Sequence, residues 1–377
     1  MKIARLVDRF DASIKGGLTP NVYYISKEQI KQGHEVVVFT FTAGEPHEED
    51  VKGVPVVFVR RPRGIRVFGG LALLRAVKKR GFAPDIVHGL NAAPFGWLFP
   101  LAKRLVPARY ALSIHNTVLP LQHGHAKGIR SMKDSFGFSK LIIYLAKRAD
   151  AVMPIAGYIR DELIAKGVQE ENIRVISPGI NLGLFRQDAP PAQKTGGSFV
   201  VLNVGRFVQK KGLPFLIKAV NLIQDENVTL NLIGGSEQDD DYDNVTNLIK
   251  ELELENRVTI LDPVPYEELP RIYHSADVFA LSSVLEPWGK VVLEAQAAGL
   301  PAVATNTGGM AEYIKDGYNG LLVPPRDPQA LADAIIRLQK NADLRQKLIQ
   351  NGEKTAQQYD WRLVAGRYSQ VFSGMVN

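Results

Sequence analysis

Ser282-Ser283-Val284-Leu285-Glu286-Pro287-Trp288-Gly289-Lys290-Val291-Val292-Leu293-Glu294-Ala295 is the stretch around which the chain is organised. It follows a short apolar run, Val278-Phe279-Ala280-Leu281, whose length suits a buried strand. Pro287 and Gly289 interrupt regular structure. Val291 to Ala298 then reads as a helix stopped by Gly299, and Pro301-Ala302-Val303-Ala304-Thr305 as the next strand. The stretch is therefore the loop of a βαβ unit, and in such units the ligand sits at the carboxyl end of the strand. A helix start offers free N–H groups and partial positive charge, which suits a phosphate. Glu286 on the loop and Glu294 on the helix place two acceptors around a polyhydroxylated ligand.

Working outward, strands alternate with helices along the whole chain. Lys2 to Val7 reads as a strand, followed by a loop with Gly16-Gly17, a helix from Thr19 to Gln32 and a strand from His34 to Phe41. Further strands are expected at Val54 to Val59, Asp85 to His88, Arg109 to Ile114 and Ala149 to Pro154, and helices at Leu71 to Arg80 and Gly157 to Lys166. His115 falls at a strand's carboxyl end, where a ligand-facing residue belongs. The Pro/Gly-rich segment from Asp188 to Gly197 lacks an apolar period and reads as a linker. Beyond it, Phe199 to Val204 is a strand, a loop with Arg206 and Lys211 precedes a helix to about Leu222, and strands follow at Thr229 to Ile233 and Val258 to Leu261. The chain closes with helices from Pro328 to Tyr359 and from Trp361. This is an α/β pattern of parallel doubly wound sheets, and 377 residues are too many for one ordinary core.

The stretch 282–295 resembles the E-x7-E motif of the retaining GT-B glycosyltransferases, family 4 (glycosyl transferases group 1) in particular. Gly205-Arg206-Phe207-Val208-Gln209-Lys210-Lys211-Gly212 is similar to that family's phosphate loop, and Gly16-Gly17 to its amino-domain glycine loop. Gly308-Gly309-Met310-Ala311-Glu312 with Asp316-Gly317-Tyr318-Asn319-Gly320 is similar to its C-terminal signature. The resemblance implies a GT-B fold, two Rossmann-like parallel-sheet domains facing a central cleft. It places an acceptor-binding domain at 1–185, a linker at 186–197 and a nucleotide-sugar donor domain at 198–360, with the last helix, about 361–377, packing back on the first domain. It implies donor binding by Gly16, Gly17, Arg206, Lys211, Val264, Glu286, Trp288, Gly289, Lys290, Val291 and Glu294, and catalytic roles for His115, Glu286, Arg206 and Lys211. Asn116 stands where the family often has Asp.

The composition, 45% hydrophobic and 23% charged, fits a globular enzyme, and the absence of cysteine excludes disulfides and thiolate metal sites. Met1 to Asp8 is charged too early for a signal peptide, so the expectation is a cytoplasmic protein, including one held peripherally at the inner membrane face. Residues 1–185 carry 27 Lys/Arg against 15 Asp/Glu, a net of +12, whereas 186–377 carry 19 against 24, a net of −5. No acidic residue lies between Asp50 and Asp85, a span holding Arg60, Arg61, Arg63, Arg66, Arg75, Lys78, Lys79 and Arg80. Such a patch is either a solvated face or a site for an anionic acceptor or anionic membrane, with Leu71-Ala72-Leu73-Leu74 turned to lipid. The span lacks interleaved aromatics, which argues against nucleic acid.

Other chemistries fit less well. Asp239-Asp240-Asp241 contains a D-x-D but reads as a solvated acidic run before a helix. His123 and His125 lie in a long Gly-rich segment, 117–139, without a carboxylate pattern for a metal. Neither Gly16-Gly17 nor Gly234-Gly235 completes the G-x-G-x-x-G of a nicotinamide enzyme. The expectation is a retaining glycosyltransferase that needs no metal or other cofactor. It moves a hexose from a UDP-, GDP- or ADP-linked donor to a hydroxyl acceptor, phosphorylated and lipid-linked ones included. The alternative is a non-catalytic sugar-nucleotide or anionic-membrane binding module of the same fold.

Overall fold

Runs such as Val36-Val37-Val38-Phe39 have no polar face, so a strand built from them must be covered on both sides. A computed structural model describes residues 1–11, 18–63, 65–91, 95, 103–115, 139–186 and 197–376, with 65–67 by backbone only. It divides into two units, Met1–Pro178 with Trp361–Asn377, and Gly179–Asp360.

The first unit holds a seven-stranded sheet: β1 (Lys2–Leu6), β2 (Glu35–Thr42), β3 (His47–Val51), β4 (Val54–Arg60), β5 (Ile86–Leu90), β6 (Arg109–Ile114) and β7 (Ala151–Pro154), in the order β3-β4-β2-β1-β5-β6-β7. All neighbours are parallel except β3, which runs antiparallel to β4. Strand β3 is absent from the sequence reading because His47-Glu48-Glu49-Asp50 is exposed and polar throughout. It forms as a hairpin edge, where charge is tolerated and blocks further pairing. The helices Thr19–Lys31 and Trp361–Val376 pack on one face, with Trp361 stacked on Tyr24 at 6.1 Å and Ile3, Ile25, Val364 and Phe372 in a shared core.

The second unit holds a six-stranded parallel sheet: β8 (Phe199–Val204), β9 (Val228–Ile233), β10 (Val258–Leu261), β11 (Val278–Leu281), β12 (Ala302–Thr305) and β13 (Leu321–Val323), in the order β10-β9-β8-β11-β12-β13. The order reverses between β8 and β11, the switch point where doubly wound sheets bind ligands. The helix Leu213–Leu222 buries Leu213, Leu216, Ile217 and Val220 against this sheet together with Leu331 and Ile335 of the helix Pro328–Lys340. The unit begins ahead of the expected linker: Phe185, fully buried, packs edge-on against Tyr266 and Tyr273. Residues 187–196 lie outside the described residues.

Candidate active site

Two loops meet at the switch point. The one after β8 turns through Gln209–Lys211, and its Lys210 carbonyl accepts from the N–H groups of Val284 (2.8 Å) and Leu285 (3.2 Å) in the loop after β11. The Ser282 hydroxyl donates to the Lys211 carbonyl at 3.1 Å. This contact requires Gly212. Its φ is +61°, and a Cβ there would sit 2.4 Å from the Ser282 carbonyl oxygen.

The seam brings Lys211 Nζ to 2.6 Å from Glu286 Oε2. The Ser283 hydroxyl and the Gly289 N–H each donate to the same carboxylate at 3.3 Å. Burial pulls the Glu286 carboxyl up, but Lys211, Lys210 and the Gly289 N–H together outweigh it, so the group lies below its ordinary value and stays ionised. Behind the loop, the Thr305 hydroxyl donates to the Ser283 carbonyl at 2.6 Å and the Thr307 hydroxyl to the Val284 carbonyl at 3.1 Å. Gly308, φ +57°, lies directly on the Glu286 carbonyl, where a Cβ would come within 1.8 Å. The Gly308-Gly309 signature thus supports the Glu286 backbone from beneath.

The helix Lys290–Ala297 starts at Gly289, and no side chain caps it. Its start faces the loop, where the Glu286 carboxylate already accepts from the Gly289 N–H. One turn on, Glu294 is buried (1% exposed) and accepts from the Tyr266 hydroxyl at 3.1 Å and the Tyr273 hydroxyl at 3.4 Å. Lys290 lies 3.6 Å from it and over the Tyr266 ring. Burial dominates here and raises the Glu294 carboxyl, and burial beside Glu294 raises the Tyr273 hydroxyl well above its usual value. Neither tyrosine is marked by a motif; their only sequence signal is the stretch 266–273, four residues beyond β10.

Arg206 corrects the expectation of a solvated acidic run. Its Nε and Nη2 donate to Asp239 Oδ1 at 2.9 and 2.6 Å, and the Asp239 side chain is only 4% exposed. Asp241 is buried too and accepts from the Asn244 amide at 2.9 Å. The Asp239-Asp240-Asp241 segment folds under the β8 loop because the Phe207 and Ser236 N–H groups need an acceptor there. Trp288, expected at the donor, packs inward against Tyr313 and Tyr359. Val264 is half-buried in the loop after β10, and Val291 half-buried in the first turn of its helix.

In the first unit, His115 follows β6, and its backbone N–H donates to the Asn91 side chain at 3.1 Å. Asn91 takes a left-handed φ of +67° and donates its own N–H to the Ser113 carbonyl. Burial pushes the His115 imidazole down to about 4, so it is neutral at pH 7, and its buried Nε2 has no partner among the described residues. The basic span is partly neutralised: Arg60 pairs with Glu45 at 3.2 Å, Arg61 with Asp8 at 3.4 Å, and Arg80 with Glu48. Leu73 and Leu74 are fully buried in the protein's own core, correcting the lipid-facing expectation; Phe68, Arg75, Lys78 and Lys79 remain outward. No helix among the described residues is long and apolar enough to cross a membrane. Gly16, Gly17, His123 and His125 lie outside the described residues.

Residues 185–355 match the family described as Glycosyl transferases group 1, and residues 15–184 match Glycosyltransferase Family 4. The D-inositol 3-phosphate glycosyltransferase of Corynebacterium efficiens is 32% identical, over 95% of this chain and 90% of the relative. The chain belongs to glycosyltransferase family 4. Its fold is GT-B: the sucrose-phosphate synthase of Thermosynechococcus elongatus superposes with a TM-score of 0.85 at 22% identity, covering 99% of both chains. Anabaena HepE, in complex with UDP and glucose, superposes with a TM-score of 0.81 at 23% identity, again over 99% of both. This family 4 glycosyltransferase transfers sugar from a nucleotide-sugar donor.

Proposed function

We propose that the enzyme moves a hexose from a UDP-sugar to a hydroxyl of a polyhydroxylated, anionic acceptor, with retention of anomeric configuration and without a metal ion. The observation that carries this reading is the cluster at the switch point. Arg206 and Lys211 on the loop after β8, and the start of the helix Lys290–Ala297 on the loop after β11, bring cationic and N–H donors to the switch point, each cation already held in place by a carboxylate. The difficult step is departure of a diphosphate from the anomeric carbon, and preorganised positive charge stabilises the charge that develops on its oxygens. The bond from the anomeric carbon to the phosphate oxygen breaks as the acceptor oxygen bonds on the same face. The acceptor proton passes to the departing phosphate.

The family resemblance assigns the individual roles, and the geometry suits them. Glu286, kept ionised by Lys211, accepts from sugar hydroxyls. Glu294, held by two tyrosines, accepts from the ribose hydroxyls. The resemblance gives His115, neutral and without a partner at Nε2 among the described residues, a role towards the transferred sugar. UDP is the favoured leaving group because HepE holds UDP and glucose. For the acceptor, the D-inositol 3-phosphate glycosyltransferase suggests a polyol bearing a phosphate. Two features of the first unit suit one: the buried Asn21 Oδ1, without a hydrogen-bond partner among the described residues, and the cations Arg61, paired with Asp8, and Arg63.

The test is transfer from UDP-glucose, UDP-N-acetylglucosamine and UDP-galactose to a panel of polyols with and without phosphate, in chelator, with the product's anomeric coupling read by NMR. An α-linked product from an α-linked donor supports the proposal. An inverted product, or turnover that returns only with a divalent ion, refutes the corresponding part. Nucleotide binding without turnover on any acceptor favours a binding module.

A further inference from the structure

We infer that Asp239 is a positioning residue that fixes the Arg206 guanidinium for the donor diphosphate; this rests on the donor-site reading above. Arg206 is far more exposed than Lys211, Lys290, Glu286 or Glu294, with its side chain 72% exposed, and a free arginine on that loop would sweep a wide arc. The structure removes that freedom from one side. Nε and Nη2 both donate to a single oxygen, Asp239 Oδ1, at 2.9 and 2.6 Å. The other oxygen, Oδ2, accepts from the Phe207 N–H at 3.0 Å and the Ser236 N–H at 3.3 Å. Asp239 is thereby bolted to the backbone beside Arg206 itself and to the loop after β9. That loop is closed onto the same point by the Asp241 N–H, which donates to the Phe207 carbonyl at 3.1 Å.

The consequence is a guanidinium with one edge spent and one edge free. The inner edge, Nε and Nη2, is saturated by Asp239. The outer edge, Nη1 with the second hydrogen of Nη2, faces solvent as a two-donor fork whose orientation is set before ligand arrives. Such a fork matches two oxygens of a phosphate, which a lysine, a point charge on a flexible stem, does not reproduce. A second interpretation would make Asp239 a competitor that the diphosphate must displace. The two differ in sign: a positioning carboxylate strengthens nucleotide binding, and a competing one weakens it. The saturated Oδ2 favours positioning, because the carboxylate has its own buried partners and no reason to leave.

The experiment is titration of UDP into the full-length protein by calorimetry, for wild type, Asp239→Asn, Arg206→Ala and the double variant, each first shown to keep its thermal unfolding midpoint. Asp239→Asn is expected to weaken UDP about tenfold, the middle of the range for directly coupled groups. The double variant is expected to bind no more weakly than Arg206→Ala, because a residue that acts through Arg206 has nothing left to act on. Weakening that multiplies in the double variant, or Asp239→Asn binding UDP as well as or better than wild type, overturns the inference. Should Asp239→Asn fail to fold, Arg206→Lys keeps the buried carboxylate and removes the fork. Binding close to that of Arg206→Ala then supports the inference, and wild-type binding overturns it. If Arg206→Ala itself binds UDP unchanged, the donor-site reading falls as well, which separates that failure from loss of the tether alone.

Discussion

Replacing Lys211 with methionine isolates the ion pair at the centre of the site. Lys211 and Glu286 stand 2.6 Å apart with side chains only 17% and 12% exposed. Without the lysine, the buried carboxylate keeps two donors, the Ser283 hydroxyl and the Gly289 N–H, both at 3.3 Å. Breaking a buried pair from one side costs about 3–5 kcal/mol. The two remaining donors and the residual exposure place this case at the lower end, about 3 kcal/mol. One kcal/mol moves the midpoint of a unit of 150–250 residues by about 2–4 °C, so a fall of roughly 6–12 °C is expected. The pH dependence gives the sign. In the wild type the Glu286 carboxyl lies below its ordinary value, so its contribution is present above the unfolded value of about 4.3 and is lost as pH falls through the folded value. In the variant only Lys210, the Ser283 hydroxyl and the Gly289 N–H oppose burial, so the carboxyl rises, the stability the pair supplied at neutral pH is lost, and the difference from wild type shrinks on acidification. Urea unfolding followed by circular dichroism at pH 7 and at pH 4.5 should therefore show a gap between wild type and Lys211→Met that narrows in acid. Adding Glu286→Gln should restore stability at pH 7 without restoring transfer. A variant as stable as wild type at pH 7, or a gap that widens in acid, would refute the reasoning.

Gly308→Ala places a methyl against the Glu286 carbonyl in a left-handed backbone and should lower kcat at least tenfold while leaving the first unit's unfolding unchanged; wild-type turnover would refute the supporting role of Gly308. Burial holds the His88 and His115 imidazoles below their ordinary value, His115 at about 4, so the unfolded chain takes up protons that the folded one refuses. Stability should fall as pH drops from about 6.5 towards 4, and His115→Gln should flatten that slope, as urea titrations across the window would reveal. Arg5 is fully buried and bonded to Ser26, Gln29 and His88 with no carboxylate among the described residues, and burial pushes it down to about 9. Arg5→Met strands those partners, at about 1–3 kcal/mol for each buried group left unpaired, so its midpoint should drop by several degrees; an unchanged midpoint would show that the partners re-pair.

Much of the candidate site's geometry was legible because its residues lie close together in sequence. Arg206 and Lys211 fall between two glycines on one loop, and Glu286 and Glu294 flank the breakers Pro287 and Gly289, so spacing alone places them on a loop and the following helix. Asp239 was misread because three consecutive aspartates look solvated. Nothing local announces that the Phe207 and Ser236 N–H groups and the Arg206 guanidinium converge on the first of them. Tyr266 and Tyr273 escaped notice for the same reason, since their partner Glu294 lies more than 20 residues away. In the first unit the alternation of apolar runs gave the parallel strands, but β3 has carboxylates at three of its five positions and only its pairing to β4 identifies it. The basic span read as one patch because the acids that pair with it, Asp8, Glu45 and Glu48, come from earlier strands and loops.

The central claim is that Arg206 and Lys211 hold a nucleoside diphosphate without a metal. The most direct measurement is the affinity of the full-length protein for UDP in excess EDTA, compared with the Arg206→Ala, Lys211→Ala double variant. The account predicts binding that chelator leaves unchanged and that the double variant weakens at least a hundredfold, as expected for two charged contacts worth about 1.5–3 kcal/mol each. Binding that disappears in EDTA, or that survives loss of both cations, would contradict it.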